Sequence, residues 1–389
     1  AWLDRRRTLL KTTEVQELLA ELVAIDSVNP SLVPTGAGEA AIARFVAHWF
    51  NRHGIDAVTE EVAAGRPNVR AVVRGTGRGR SLLLNAHLDT VGVAGMARPF
   101  GADVQNRRLY GRGALDTKGG LAAFMVATVE ASTRGLPGDV IFTGVIDEEY
   151  ASIGTEALLP HVRADTAIVA EPTNLEIHPC HKGFVWLEVE THGRAAHGSR
   201  FKEGVDAIAK MGKFLAALDD FGRRLESGVG HPLLGPASVH ASLINGGQEL
   251  SSYPQTCRVS IERRTLPGET PAQVQEEIHH LLDRVGADDP QFVADCRVTF
   301  SREPLEVDRQ APIVEIMSRC IGKELGREGV IGGTTGWTDA ALLNSVGIPS
   351  IVFGPAGEGL HGTNEWVDLE SVRQCASIVM GAIAEFCGR

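Results

Sequence analysis

No apolar stretch in this sequence approaches the ~20 residues that a membrane-spanning helix needs. Cysteine is sparse: Cys180, Cys257, Cys296, Cys320, Cys375 and Cys387 form no CxxC pair. So few, so scattered, they make no disulfide framework and read as buried thiols of a reducing compartment. Positive charge is short as well, with 38 basic against 49 acidic residues and a net charge of -11. A field of that sign opposes nucleic-acid binding, and the one basic run, Arg5-Arg6-Arg7, is too short to reverse it. The first residues, "AWLDRRRTLLKTTEV", show no signal-peptide apolar region. These absences together lead us to expect a cytoplasmic protein with no membrane and no nucleic-acid partner.

What is present is core-forming. Apolar residues make up 43% of a 389-residue chain, enough for two domains. Thr13 to Ile25 reads as a helix, with Thr13 and Gln16 at capping-box spacing. A second helix is expected over about Glu39 to His53, closed by Gly54. "NVRAVVRG" and "RSLLLNAHL" read as strands, and "GTGRGR" between them as a hairpin turn. "GGLAAFMVATVEAS" (Gly119 to Ser132) is a small-residue helix of the kind that packs on a sheet. "DVIFTGVIDEEY" and "TAIVAEPT" are buried strands. Alternating strands and helices imply an α/β layer with a mostly parallel core sheet.

The texture changes near Lys182. "FVWLEVETHG" alternates apolar and polar residues, as a strand with one wet face does. A helix (Val205 to Glu226), two strands ("SVHASLING", "TCRVSIERRTL"), a helix (Pro271 to Val285) and a strand ("FVADCRVTFS") follow. This β-α-β-β-α-β order is ferredoxin-like. The α/β pattern then resumes with "APIVEIMSRCIGKELG" and "PSIVFG". The expected division is a larger α/β domain of residues 1–181 and 301–389, with a smaller α+β domain, 182–300, inserted into it.

In the larger domain, acids and histidines gather where elements end: His87, Asp89, Asp116, Glu148, Glu149, Glu171 and His361. Ligands of open α/β sheets bind beyond the carboxyl ends of the strands. Singly, each residue has a plain reading: His87 a bonded core histidine, Asp116 a helix cap, Glu148 and Glu149 a solvated strand end, His361 a loop surface residue. Together they form a thiol-free donor set suited to zinc, and also to cobalt or manganese. One closed tetrahedral site would leave several buried acids unpaired. Two metal ions sharing a bridging carboxylate would absorb all of them and could activate water against an amide, ester or phosphate. In the pair Glu148-Glu149, one acid can ligate while the other stays unbound and moves protons.

The residues also resemble a known family. "NAHLDTV", "RPFGADVQNRRLYGRGALDTKGG", "GVIDEEYASIGTEALL", "AIVAEPTNLEI", "HGRAAHGS", "ERRTLPG", "GGTTGWTDA" and "GLHGTNEWVDLESV" are similar, in order, to the motifs of the M20 zinc amidohydrolases. That family includes acetylornithine deacetylase, succinyl-diaminopimelate desuccinylase and carnosinase-type dipeptidases. The resemblance implies a di-metal catalytic domain and a ferredoxin-like lid that dimerises the protein. It implies that His87 and Glu171 bind one metal, that Asp116 bridges, and that Glu149 and His361 bind the second. Asp89 is then the carboxylate that orients His87. Glu148 is the general base, taking a proton from water as it attacks the scissile carbonyl and giving it to the leaving amine. His197 is the oxyanion donor, reaching the neighbouring subunit's site. Arg264 holds the substrate carboxylate as a bidentate fork, its neighbour Arg263 pointing the other way. Gly333, Thr334 and Thr335 line the same pocket through backbone N–H groups.

Two positions depart from the family pattern. Ser251, in "SSYP", stands where many members carry Asn. Asn245, a further candidate substrate contact, stands where deacetylase-like members often carry His. Both bear on the substrate and not on the chemistry. The function implied is deacylation of an N-acyl amino acid, an acetylornithine-like or succinyl-diaminopimelate-like compound, with two zinc ions per subunit. A dipeptidase or carboxypeptidase is the alternative within the family. A two-metal phosphoesterase, or a metal-free relative that only binds a ligand, are the readings outside it.

Overall fold

The computed structural model describes residues 14–93 and 95–388, so the helix cap expected at Thr13 lies outside the described residues. The chain divides into two compact units. The first comprises the described residues up to Pro179, with Val307–Gly332 and those from Thr338 onward. The second comprises Cys180–Glu306 and Gly333–Trp337.

The first unit opens with a helix over residues 14–24, α1. There follow α2 (Ala40–Arg52), β1 (Ala57–Ala63), β2 (Arg66–Val73), β3 (Leu82–His87), β4 (Asp103–Gln105), β5 (Arg108–Tyr110), α3 (Gly119–Ser132), β6 (Val140–Val145), α4 (Ile153–Leu158) and β7 (Thr166–Val169). The second unit contains β8 (Cys180–His181), β9 (Gly183–His192), α5 (Ala207–Glu226), β10 (Ser238–Gly246), β11 (Thr256–Thr265), α6 (Pro271–Asp288), β12 (Val293–Arg302) and β13 (Leu305–Glu306). The chain then adds α7 (Pro312–Leu325), α8 (Ala340–Ser345), β14 (Ser350–Val352), β15 (Gly357–Glu358), β16 (Trp366–Asp368) and α9 (Leu369–Cys387) to the first unit.

The main sheet of the first unit has the order β1-β2-β6-β3-β7-β14. Strands β6, β3, β7 and β14 are mutually parallel, while β1 and β2 run antiparallel at one edge. Every residue of β3 and β7 is buried, as central parallel strands covered on both faces require. Helix α3 is apolar all round and buried along most of its length. A second, four-stranded sheet, β15-β16-β5-β4, carries the segments that flank Asp116 and His361.

The hairpin expected at "GTGRGR" does not form. Strand β6 lies between β2 and β3, and the tight hairpin joins β1 to β2 instead. The glycines have another reason: the 75–79 connector runs against the 136–138 connector. Thr76 N–H donates to Leu136 O and Gly77 N–H to Pro137 O. A side chain at Gly75 or Gly79 would stand 2.5 Å from Gly138 backbone atoms.

The second unit is a four-stranded antiparallel sheet, β10-β11-β9-β12, with α5 and α6 packed on one face. Alternation along β11 sends Cys257, Val259, Ile261 and Arg263 inward, and the residues between them to the other face. Helix α6 begins at Thr270 with the reciprocal capping box to Gln273. All six cysteines are free thiols, and all but Cys296 are buried. Among the described residues no helix is long and apolar enough to cross a membrane.

Candidate metal centre

Two strand ends and three loops of the first unit converge. His87 is the last residue of β3, and Glu171 follows two residues after β7 ends. Glu148 and Glu149 lie in the turn after β6, Asp116 in the turn before α3, and His361 in the loop before β16. The Asp116–Thr117 peptide is cis.

Asp116 sits between the two histidines. Its Oδ1 lies 3.1 Å from His87 Nε2 and its Oδ2 3.1 Å from His361 Nε2. Glu171 Oε1 is 3.8 Å from His87 Nε2, and Glu149 Oε2 is 3.2 Å from His361 Nε2. Ligand atoms of His87, Glu148 and Glu171 lie within 4.8 Å of one another, as do those of His87, Asp116 and Glu149. Glu148, expected to stand apart from the ligands, thus shares a cluster with two of them.

The donor set fits a cation. Glu149 Oε1 and Glu171 Oε1 are buried without any hydrogen-bond partner. Buried carboxylate oxygens left unpaired are costly, and a hard or borderline metal is what would satisfy them. The charges say the same. Burial, with the neighbouring acid Glu171, pushes Glu148 well above the usual carboxylate range. Burial likewise raises Glu171 and Glu149, and the charge of Asp116 raises each further. Burial disfavours a proton on His87, but the hydrogen bond to Asp116 and the charges of Glu171, Glu148 and Asp116 outweigh it and raise that histidine. Hydrogen bonds to Asp116 and Glu149 raise His361 to about 10.

Asp89 acts differently from the expectation. It is the backbone carbonyl of Asp89, 2.9 Å from His87 Nδ1, that orients the ring. A carbonyl only accepts, so Nδ1 carries a proton and Nε2 faces the carboxylates. The Asp89 side chain is 3.7 Å from the ring and instead accepts the backbone N–H groups of Glu148 and Glu149 and the Asn29 amide. It anchors the turn that carries both acids. The reason is position: β3 ends at His87, so strand alternation no longer aligns residue 89 with the imidazole.

Sequence reasoning did not single out the residues that support the cluster. Asn29 donates to Asp89 and Asp147. Arg66 joins Asp147 to the buried Glu39. Arg112 and Glu365 form an ion pair of 2.7 Å beneath Asp116. Arg112 and Glu365 fall within the quoted motifs "YGRGALD" and "GTNEW", which was the available signal; Glu39 and Arg66 had none.

The remaining candidates belong to the second unit. Arg264 is partly exposed, its Nε donating to Glu262 at 2.7 Å and its guanidinium 5.3 Å from the Phe184 ring. Arg263 is fully buried and pairs with Glu269 and Glu277. His197 is exposed, with Nδ1 2.8 Å from Ser199 Oγ. The loop carrying it is held by the "SSYP" segment: Gly198 N–H donates to Ser251 O and Tyr253 N–H to Ala196 O. Asn245 is exposed on β10. Gly333 has no room for a side chain, which would meet Leu234 at 2.6 Å. The Thr334 N–H donates to Cys180 O.

A mostly parallel α/β sheet with a buried histidine–carboxylate cluster at its strand ends defines a class, the metal-dependent hydrolases of amide bonds. Within that class the chain belongs to peptidase family M20/M25/M40, whose model matches residues 83–385. It is 31% identical to an acetylornithine deacetylase of Myxococcus xanthus, over 95% of this chain and 97% of that protein. It is 28% identical to the N-formyl-4-amino-5-aminomethyl-2-methylpyrimidine deformylase of Bacillus subtilis (strain 168), over 97% of each. Among solved structures, a tripeptidase of Staphylococcus aureus superposes with a TM-score of 0.81 at 23% identity, covering 97% of this chain and 99% of that one.

Proposed function

We propose that the protein removes a small acyl group from the amine of an N-acyl amino acid. An acetylornithine-like or succinyl-diaminopimelate-like compound is the closest substrate type, and two zinc ions per subunit the resident metals, with cobalt or manganese able to replace them. The observation that carries the chemistry is Asp116, one oxygen toward each histidine, beside the unpartnered buried oxygens of Glu149 and Glu171. Support for the deacylase reading comes from two similar proteins, named a deacetylase and a deformylase, which share the removal of a small acyl cap.

His87, Glu171 and Asp116 would hold one ion, and Asp116, Glu149 and His361 the other. When bound, the metal pair would supply Lewis acidity to the scissile carbonyl and to water. Burial and the nearby Glu171 raise the proton affinity of Glu148, the direction a carboxylate general base requires. It takes the proton of the attacking water and returns it to the amine nitrogen as the amide C–N bond breaks. Asp89 holds Glu148 in place through its backbone N–H. The Arg264 guanidinium, its plane set by Glu262 and Phe184, takes the substrate carboxylate. His197 donates to the oxyanion in the site of the other subunit of a homodimer built through the 182–300 segment.

The test is a screen of N-formyl, N-acetyl and N-succinyl amino acids and free-amine dipeptides, on zinc- and cobalt-loaded protein. Capped amino acids should turn over. Activity on free dipeptides alone would replace this reading with the peptidase one. Glu148→Gln should abolish turnover with about two metals still bound. Mixing it with an inactive His197→Ala protein should restore activity, because one site of the mixed dimer then has both groups. No recovery on mixing would remove the role across subunits.

A further inference from the structure

The residues proposed as ligands reach the cluster in two different ways. His87 ends a central strand, paired with Val145, and Glu171 directly follows Ala170, whose N–H still donates to Asn85 O of that strand, so the sheet fixes where both begin. Asp116 lies in a short π-helical turn, Ala114–Lys118, where its own dihedrals are not helical, and His361, 245 residues on, lies in an irregular loop, so no regular helix or strand fixes either. Something else must set the 3.1 Å approach between them.

The buried pair Arg112–Glu365 is placed to do so. Both side chains are 1–2% exposed. Strand β5 ends at Tyr110 and β16 starts at Trp366, and these two residues are cross-strand partners, which brings 112 and 365 together. Glu365 accepts four hydrogen bonds. Oε2 takes Arg112 Nη1 at 2.7 Å and Gly113 N–H at 3.1 Å. Oε1 takes Leu115 N–H at 2.9 Å and Asp116 N–H at 3.1 Å. Arg112 donates onward to Gly92 O at 3.0 Å and to Gly362 O, next to His361, at 2.9 Å. One carboxylate thus grips the Asp116 turn, and its guanidinium partner grips the His361 loop.

We propose that Arg112 and Glu365 are positioning residues that set the spacing of Asp116 and His361, and with it the affinity for the second metal ion. The inference rests on the two-metal reading above. All four groups facing Glu365 are donors, so a glutamine there must turn its NH2 toward an N–H and release part of the turn. His87 and Glu171, held by the sheet, should keep their place.

The experiment titrates metal-free protein with zinc against a competing chelator, counts bound metal, and records the visible absorption of the cobalt form. Wild type should bind two ions. Glu365→Gln should weaken the second ion about 10- to 100-fold, the usual cost of removing an outer partner of a metal ligand, and the first, which keeps the sheet-end ligands His87 and Glu171 beside Asp116, clearly less. Arg112→Lys keeps a cation beside Glu365 but loses the fork that reaches Gly92 and Gly362, and should weaken the same ion by less. Two ions bound with wild-type affinities in Glu365→Gln overturn the proposal, as does equal loss of both ions in a protein that keeps its melting temperature. Should Glu365→Gln not fold, a wild-type second affinity in Arg112→Lys overturns it and a selective loss upholds it. Fewer than two ions in the wild type would instead defeat the two-metal reading itself.

Discussion

Glu39 is completely buried, and a buried carboxylate without a cation is among the more expensive groups a fold can hold. Arg66 meets it with two hydrogen bonds and extends to Asp147, which Glu148 and Glu149 follow in sequence. Removing the arginine strands the charge. Arg66→Leu should cost about 3–5 kcal/mol, the scale for breaking a buried pair, and Arg66→Leu/Glu39→Leu should recover most of it. Denaturant unfolding of the two variants checks this; equal losses would mean that Glu39 does not need its partner. At this scale the sequence was half readable. His87, Asp116, Glu148, Glu149, Glu171 and His361 stood out because acids and histidines at strand ends are unusual in combination. Glu39, Arg66, Arg112 and Glu365 did not, because an isolated charged residue in a sequence looks solvated until its burial is known.

Elements were most legible where their information is local. The small-residue helix was expected over Gly119 to Ser132 and is found there, and the expected β-α-β-β-α-β order matches β9, α5, β10, β11, α6 and β12 of the second unit. Neighbours in the main sheet were less legible, since pairing between distant strands leaves little local mark. The glycines of "GTGRGR" read as a hairpin, yet their constraint comes from a partner some sixty residues away. Gly138 shows this most sharply: a Cβ there would stand 1.8 Å from Arg80 O. Neither backbone can yield without moving β3 or β6. Gly138→Ala should therefore destabilise by about 2–4 kcal/mol, far above the ordinary exposed-loop substitution. A melting temperature within a degree of wild type would show that the two connectors separate easily.

Across the molecule, the cluster makes stability depend on pH and metal together. Burial raises Glu148 and Glu171 well above the usual carboxylate range, and it raises Asp89 to about 7. Groups raised in the native state stabilise it fully below their unfolded values and lose that contribution as pH climbs through the native ones. His361, raised to about 10, works in the same direction, though its half-exposed ring makes its share smaller. Asp116 has the opposite sign: His361 and His87 hold it below the usual range against its burial, so its contribution is lost only on strong acidification. Metal-free protein should therefore lose stability from pH 5 to pH 8, and the gain in Tm on adding zinc should grow over the same interval. Thermal melts with zinc and with chelator test this, and a zinc gain that shrinks toward pH 8 would contradict it.

The short segment Gly333–Trp337 belongs to the second unit although both of its flanks belong to the first. Trp337 packs edge-on to Phe184 and His181, and its indole N–H donates to Glu303 O. The second unit is thus not a single continuous stretch of gene. Exchange of residues 180–306 between relatives by one recombination event would leave this piece behind, facing foreign neighbours. Inheritance must therefore treat two distant stretches of coding sequence as one, and drift in Phe184, His181 or Trp337 should be answered in the others.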